Sequence, residues 1–171
     1  MTSPNNPKWL WGIEGGSGHF SELGQTWSQP VHTKVRIGSD ERNVLIFAGG
    51  YDENQDDATT RQVDSVGRAI YIVDAKTGER LWFGGLSAGH EQFPDMKYSI
   101  PSKISVLDMN GDGYADKMFV GDIGGQLWRF DIYNGNAADS LVTGGVIFKA
   151  SGTEADTDEV HNRRFYHEPD I

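Results

Sequence analysis

Short apolar stretches, separated by glycine and acidic residues, recur along the 171 residues of the chain. Each is rich in β-branched or aromatic residues and is bounded by Gly, Asn or Asp, the pattern of a β-strand that ends in a turn. Helical periodicity is weak throughout, so the pattern predicts an all-β protein. The predicted strands include VLIFAGG (44–50), AIYIVDA (69–75), ERLWFGG (79–85), KMFVGD (117–122), GQLWRFD (125–131) and GVIFKA (145–150).

The predicted strands repeat. GRAIYIVDAKTG, which begins at residue 67, aligns with GGQLWRFDIYNG, which begins at residue 124. Upstream, Phe-Ala-Gly at 47–49 aligns with Phe-Val-Gly at 119–121, and PVHTKVRI (30–37) parallels PSKISVL (101–107). The two twelve-residue windows agree at six positions, which include Tyr71 with Trp128, Val73 with Phe130 and Asp74 with Asp131.

A repeating unit of four short strands with aromatic and glycine marks is typical of propeller blades, although β-sandwiches also join short strands by glycine turns. We therefore expect a partial β-propeller with about two four-stranded blades, at 30–86 and 98–150. Residues 1–29 are interpreted as the end of a blade and a linker, and 151–171 as the start of the next blade. Because two blades cannot close a ring, the sequence indicates part of a larger propeller.

Charge and composition exclude several classes of function. The formal net charge of −10 argues against a nucleic-acid or anionic-membrane surface, since both need a basic patch. The chain has no cysteine, which excludes disulfides and thiolate metal sites. No apolar run approaches the ~18 residues of a membrane span, and MTSPNNPKWLWG at the N-terminus lacks the pattern of a signal peptide.

The stretch DMNGDGYAD (108–116) concentrates oxygen ligands at alternate positions of a tight loop. Calcium takes six to eight hard oxygen ligands in flexible geometry, and glycine at the sixth loop position, here Gly113, permits the sharp turn. The spacing predicts a calcium site. Its predicted ligands are Asp108, Asn110, Asp112, the carbonyl of Tyr114, and Asp116.

The flanks of this loop distinguish it from an EF-hand. Position 12 is Phe119 instead of glutamate, and the residues on both sides are predicted strands. Three carboxylates about 5 Å apart repel by about 3 kcal/mol per pair at an effective dielectric constant of 20, which favours a bound divalent cation. An Asp-Gly hairpin turn with solvated acids is the alternative, and magnesium is less favoured because it uses fewer protein ligands.

Other motifs carry weaker signals. In YDENQDDATTR (51–61), Asp52, Asn54 and Asp56 have a similar spacing, but a solvated loop is favoured over a second ion site. GLSAG (85–89) matches a nucleophile elbow without the helix that this motif needs. The five histidines show no zinc spacing. Four tryptophans on strand-like segments are expected to pack within blades: Trp9, Trp11, Trp82 and Trp128.

Taken together, these residues resemble the C-terminal β-propeller domain of the PilY/PilC family, large proteins of the type IV pilus tip. The stretches that carry the resemblance are WLWGIEGG (9–16), GQTWSQPV (24–31), LIFAGGYDENQDDATTR (45–61), GRAIYIVDAKTGERLWFGG (67–85) and DMNGDGYADKMFVGDIGGQLWRFD (108–131). The resemblance implies a seven-bladed propeller at the cell surface or outer membrane. It also implies a calcium site on the five residues named above, with occupancy coupled to pilus extension and retraction.

The resemblance further implies a non-enzymatic pilus-tip adhesin or biogenesis factor, whose partners are pilus components, the remaining blades and a candidate host-surface receptor. The rival hypothesis is a blade of a quinoprotein dehydrogenase that binds pyrroloquinoline quinone. Blades of that class carry D-x-x-T-G-x-x-x-W, which Asp74, Thr77, Gly78 and Trp82 match. This motif occurs in one clear copy and no catalytic constellation accompanies it, so the sequence favours the pilus protein.

Overall fold

Two β-sheets that share one apolar core make up the chain. The computed structural model describes residues 6–152 and 158–171. In that part of the chain there is no α-helix, and short 3-10 helices occur at Gly18–Phe20, Glu53–Gln55, Ala138–Ser140 and Glu159–His161. No helix within it is long and apolar enough to cross a bilayer. The all-β prediction is confirmed.

The first sheet has five strands in chain order. β1 (Val31–Ile37), β2 (Asp40–Ala48), β3 (Ala69–Asp74) and β4 (Arg80–Gly85) form an antiparallel meander. β5 (Glu91–Gln92) then adds to the edge of the sheet, parallel to β4. A two-residue strand has no period of its own, which explains why the sequence pattern did not predict β5.

The second sheet is a four-stranded antiparallel meander in chain order. Its strands are β6 (Ser105–Leu107), β7 (Lys117–Gly121), β8 (Gln126–Ile132) and β9 (Val142–Lys149). Apart from β5, which was not predicted, and β6, which is shorter than the predicted stretch, the strands of both sheets match the predicted strands to within a few residues. The two sheets are separate and neither closes into a barrel.

The repeat relates the two sheets, but one part of the predicted alignment is wrong by one residue. Tyr71 pairs with Phe47 across β3 and β2, whereas its counterpart Trp128 pairs with Val120 across β8 and β7. Phe47 therefore corresponds to Val120 and not to Phe119. Because side chains alternate along a strand, this slip would place the phenylalanine on the wrong face of the sheet.

The core between the sheets is built from one face of each. Most of its large side chains are at most 1% exposed, and burial of each such side chain contributes about 1.5–3 kcal/mol. The first sheet and the second sheet supply similar numbers of these residues. They include Ile46, Ile70, Ile72 and Trp82 from the first, and Met118, Val120, Trp128 and Phe130 from the second.

The opposite face of the first sheet is covered by the N-terminal segment. Phe20 and Leu23 pack there with Tyr71, and the ring centroids of Phe20 and Tyr71 are 5.2 Å apart. Trp11 also contacts this cluster, but Trp9 is 86% exposed, so the prediction that it packs is wrong for this residue. Trp9 lies in a segment that forms no strand and therefore has no sheet face to pack against.

The two segments predicted to belong to neighbouring blades, 1–29 and 151–171, lie only partly within the described residues. Residues 1–5 of the N-terminal segment 1–29 and residues 153–157 of the segment 151–171 lie outside the described residues. The stretches 7–11 and 163–171 form no strand. Their assignment to neighbouring blades stays a prediction.

The long connection between β2 and β3 is tied to the C-terminal segment. Nη2 of Arg164 donates to the carbonyl of Ala58 at 2.7 Å, and Nδ2 of Asn162 donates to the carbonyl of Thr59 at 3.1 Å. These contacts join residues more than 100 positions apart in the sequence. The connection that leaves β2 of the first sheet is therefore packed against the segment that follows β9 of the second sheet.

Candidate metal site

The predicted calcium loop connects β6 to β7 at an end of the second sheet. β6 ends at Leu107 and β7 begins at Lys117, and these two residues pair with each other. The N–H of Asp116 donates to the carbonyl of Leu107 at 2.8 Å. Residues 108–113 are exposed. The sheet thus holds both ends of the loop while its acidic part faces solvent.

Asp108 organises the first half of the loop. One of its carboxylate oxygens accepts the N–H of Gly111 and the other accepts the N–H of Gly113, both at 2.7 Å. The bond from Gly113 is the main reason why the pKa of Asp108 lies below its ordinary value. The carboxylate is thus held in its charged form by the backbone of the loop.

The other predicted side-chain ligands also accept backbone N–H groups of the loop. Oδ1 of Asn110 accepts from the N–H of Asp112, and Oδ1 of Asp112 accepts from the N–H of Tyr114, each at 2.9 Å. Oδ2 of Asp116 accepts from the N–H of Met109 at 2.8 Å. All four side chains are therefore folded onto one short stretch of backbone.

Two glycines make this backbone path accessible. Gly111 and Gly113 have φ angles of +77° and +88°, a region that residues with a side chain rarely adopt. A Cβ at either position would meet no atom within 4 Å, so conformation and not space requires glycine. The loop spacing predicted this role for Gly113 but not for Gly111.

Within the described residues, no cationic side chain pairs with the acids of the loop. No salt bridge among the described residues involves Asp108, Asp112 or Asp116. The neighbouring cations, Lys117 and Arg129, bind Asp131 instead, at 2.5 Å and 2.9 Å. The three loop carboxylates are thus left without an ion-pair partner from the described protein.

The donor chemistry of the loop fits calcium, but the side chains do not form a preassembled cage. No group of three or more histidine, aspartate or glutamate side chains within 6–152 and 158–171 is placed to hold a metal ion. Every predicted ligand atom is an oxygen, the element that calcium selects. Each carboxylate oxygen that accepts one N–H keeps further accepting capacity, so these turn contacts leave room for an ion.

Residues of the first sheet also reach this loop. The hydroxyl of Tyr114 donates to Oε1 of Glu41, and the guanidinium of Arg36 lies 4.5 Å from the centre of the tyrosine ring. This hydrogen bond and the charge of Arg36 lower the pKa of Glu41 below its ordinary value. No sequence signal marked Arg36 or Glu41, because their contact with the loop depends on how the two sheets pack.

The acids of the second acidic stretch, 51–61, accept hydrogen bonds from other residues of the protein. Oδ2 of Asp52 accepts from the N–H and hydroxyl of Ser65 and from the N–H of Val66, at 2.6, 2.8 and 3.1 Å. The Asp56 carboxylate accepts the hydroxyl of Tyr51 at 2.8 Å. Asp52 and Asp56 are therefore directed to different protein partners in a folded connection.

The motif shared with quinoproteins closes a turn. Oδ1 of Asp74 accepts the N–H groups of Lys76 and Thr77 at 2.9 and 3.0 Å, and Gly78 in this turn has a φ of +75°. Trp82, the last residue of the motif, is buried in the core between the sheets. Each of these residues has a structural role in the hairpin between β3 and β4.

The possible nucleophile elbow also lacks its structural context. Gly85 ends β4, and the residues after GLSAG lead into β5 and not into a helix. The side chain of His90 accepts the N–H of Phe83 through Nδ1 at 3.1 Å, which stabilises this irregular connection. The motif therefore belongs to a strand connection.

A buried acid stands at the turn between β7 and β8. The Asp122 carboxylate is fully buried and accepts three N–H groups: the backbone and side-chain amides of Gln126 and the indole of Trp128. Burial raises the pKa of Asp122 to about 6, although the hydrogen bonds favour the charged form. No sequence signal marked Asp122, because its partners are defined by the turn between β7 and β8.

Two stacked meander sheets, related by a sequence repeat and carrying an acidic loop at one end, define an all-β repeat protein with a candidate cation site. Comparisons of sequence and of structure both find PilY1 proteins similar to this chain. The chain is 29% identical over 139 residues to type IV pilus biogenesis factor PilY1 of Pseudomonas aeruginosa strain UCBPP-PA14. The match covers 81% of this chain and 10% of that protein.

Two further comparisons agree. The chain is 28% identical over 140 residues to a PilY1 homolog of Xylella fastidiosa strain Temecula1, covering 77% of this chain and 8% of the homolog. Its structure resembles the crystal structure of the Pseudomonas aeruginosa PilY1 C-terminal domain, with a TM-score of 0.54 and 25% identity, over 86% of this chain and 29% of that domain chain. No family model matches the sequence.

These matches confirm the resemblance to the PilY/PilC family: the chain is similar in sequence to PilY1 proteins and in structure to the PilY1 C-terminal domain. It spans about a tenth of the length of the curated relatives it matches. Those relatives are named as biogenesis factors and not as enzymes.

Proposed function

We propose that this chain is a calcium-binding, non-enzymatic part of a type IV pilus biogenesis factor. The observation that carries the proposal is the loop 108–116, in which three carboxylates lie on one folded stretch of backbone and form no salt bridge with any described residue. The names of the relatives supply the link to type IV pili.

Calcium would fill the chemical gap in this loop. The ligands would be the side chains of Asp108, Asn110, Asp112 and Asp116 with the carbonyl of Tyr114. A divalent cation neutralises the repulsion between the carboxylates, and the flexible coordination of calcium suits side chains that are held close together but not yet converged. Binding would draw these oxygens inward while the turn hydrogen bonds keep the backbone path.

We also propose that the two sheets are blades of a larger β-propeller. One face of the first sheet is covered by the second sheet, and the equivalent face of the second sheet carries Phe119, Leu127 and Phe148. Phe148 is 54% exposed. A further blade stacked on this face would bury it as the second sheet buries the first.

In the cell, we place this module at the surface in association with pili, where calcium occupancy is coupled to pilus extension and retraction. Its partners would be pilus components, the remaining blades and a host-surface receptor. The resemblance to the PilY/PilC family and the names of the relatives support this placement.

Isothermal titration of the full chain with calcium tests the metal site. We expect saturable binding, and at least a tenfold loss of affinity in Asp112→Ala. Asp139→Ala is the matched control, because Asp139 is an exposed acid outside the loop. Absence of binding heat in the wild-type chain, or equal affinities in the two variants, would overturn the assignment.

The pilus role needs a test in cells. In a bacterium that produces this protein, Asp112→Ala in the chromosomal gene should change the number of surface pili or the speed of twitching, and Asp139→Ala should not. Normal piliation and normal motility in both strains would contradict the proposed coupling, even if calcium binds in solution.

A further inference from the structure

Tyr114 links the candidate calcium loop to the first sheet. Its side chain is buried, whereas residues 108–113 before it are exposed. The hydroxyl donates to Oε1 of Glu41, and the guanidinium of Arg36 lies over the ring at 4.5 Å from its centre. Arg36 and Glu41 face each other at 3.5 Å on the hairpin between β1 and β2. The tyrosine ring is thus held by a charged pair from another sheet.

The backbone after Tyr114 is held by the same hairpin. The N–H of Ala115 donates to the carbonyl of Lys34, on β1, at 2.9 Å. This N–H and the carbonyl of Tyr114 belong to one planar trans peptide unit, so they point in opposite directions. The bond to Lys34 therefore turns the Tyr114 carbonyl, the only predicted backbone ligand, away from β1.

The turn between β8 and β9 also joins the loop to the β1–β2 hairpin. The side chain of Asn134, in the turn between β8 and β9, accepts the N–H of Arg36 at 2.8 Å and donates to the carbonyl of Ala115 at 2.9 Å. The N–H of Gly38 also donates to the carbonyl of Asn136 at 2.8 Å. The tip of the first sheet, the candidate loop and this turn therefore form one hydrogen-bonded unit.

We propose that Glu41 and Arg36 are positioning residues for the Tyr114 ligand, so that calcium binding to the loop 108–116 and docking of the β1–β2 hairpin on the second sheet stabilise each other. This inference rests on the proposed calcium site. It adds that occupancy of the loop is transmitted to the neighbouring sheet through one residue that contacts both.

The physical reason is linkage. If the hairpin contact orients the Tyr114 carbonyl, its loss lowers calcium affinity, because the loop must then order this ligand when the ion binds. By reciprocity, calcium must strengthen the hairpin contact by the same factor. Couplings of this kind typically change affinity by about fivefold or more.

Calcium titration of three single variants of the full chain tests the coupling. Glu41→Ala and Tyr114→Phe should each lower calcium affinity by about five- to tenfold, since each removes the hydroxyl–carboxylate contact. Asp40→Ala, the control, removes the same charge from the neighbouring position, where Asp40 pairs with Arg42. It should change affinity by less than about twofold.

The double variant Glu41→Ala/Tyr114→Phe should bind calcium as weakly as either single variant, because both substitutions remove one contact. Additive losses, or equal affinities in Glu41→Ala and Asp40→Ala, would overturn the coupling and leave the calcium site standing. No calcium binding in the wild-type chain would overturn both.

Hydrogen exchange provides a readout that does not depend on variants in the hairpin. Calcium should slow exchange of the N–H groups of Arg36 and Gly38, which donate to Asn134 and Asn136. The effect should be absent in Asp112→Ala. Protection confined to the loop 108–116 in the calcium-bound wild-type chain would show that the hairpin does not sense the ion and would overturn the inference.

Discussion

The indole N–H of Trp128 donates a 2.8 Å hydrogen bond to the carboxylate of Asp122, and both side chains are buried. Trp82 supplies a second buried indole to the same core, but its N–H has no partner among the described residues. Two tryptophans in one core therefore differ in a single polar contact. Replacing each tryptophan in turn therefore measures how much the hydrogen bond to Asp122 contributes to the unfolding free energy.

Trp128→Phe should destabilise the protein more than Trp82→Phe. Both substitutions remove similar apolar volume, but only the first deprives a buried carboxylate of a donor, at a further cost of about 1–3 kcal/mol. Urea unfolding of the two variants measures the difference. Equal losses of unfolding free energy would mean that the bond to Asp122 contributes nothing net.

Asp122 should make stability depend on pH. Its pKa is raised from the ordinary value of 3.8 to about 6 in the folded protein. A raised pKa means that the folded state holds the proton more tightly than the unfolded state, so the contribution is complete below pH 4 and is lost as pH rises through 6. The shift corresponds to about 3 kcal/mol.

The effect is measured as the difference in unfolding free energy between the wild type and Asp122→Asn, which removes the titration. This difference should move against the wild type by about 2 kcal/mol between pH 4 and pH 7, most of the full shift. A flat difference for Asp122→Asn would contradict the raised pKa.

Removal of calcium should lower thermal stability through the loop 108–116. With calcium at a hundredfold excess over its dissociation constant, the folded state gains about 2.7 kcal/mol, which a chelator abolishes. Asp108→Asn should melt at the same temperature with and without chelator, because Asp108 organises the loop. A wild-type melting temperature that the chelator leaves unmoved would refute this prediction.

Adjacent glycines in β9 should respond differently to alanine. A Cβ at Gly144 would lie 2.3 Å from Cδ1 of Phe130 and 2.6 Å from the carbonyl oxygen of Arg129, whereas one at Gly145 would meet no atom within 4 Å. Gly144→Ala should therefore cost about 1–3 kcal/mol. Gly145→Ala should be stabilising by less than about 1 kcal/mol. Similar melting temperatures for the two variants would show that Phe130 moves aside freely.

Much of the fold could be predicted because strand signals are local. Alternating apolar residues and glycine turns located the long strands, and the repeat identified the two related sheets. The predicted alignment of β2 with β7 is wrong by one residue because it matched two phenylalanines, Phe47 and Phe119. These residues lie on non-equivalent faces of their sheets. A short window cannot distinguish these faces; the partner strand decides them.

In the candidate site, too, features set by neighbouring residues could be predicted and contacts between the sheets could not. The spacing of acids identified the loop 108–116 and its donor atoms, since both follow from neighbouring residues. The contacts of Tyr114 with Glu41 and Arg36 join residues more than 70 positions apart and depend on the stacking of the sheets. Likewise, Asp52 shares the acidic spacing of the loop but is bound by Ser65, which the spacing alone does not indicate.

The tie between the β2–β3 connection and the C-terminal segment bears on the order of folding. Arg164 meets Ala58 across 106 residues of chain, and Asn162 meets Thr59 across 103. Contacts of such high contact order incur a large loop-closure entropy, so they form after the local meanders. During synthesis, the connection after β2 therefore lacks these hydrogen bonds until Asn162 and Arg164, more than 100 residues later, have left the ribosome.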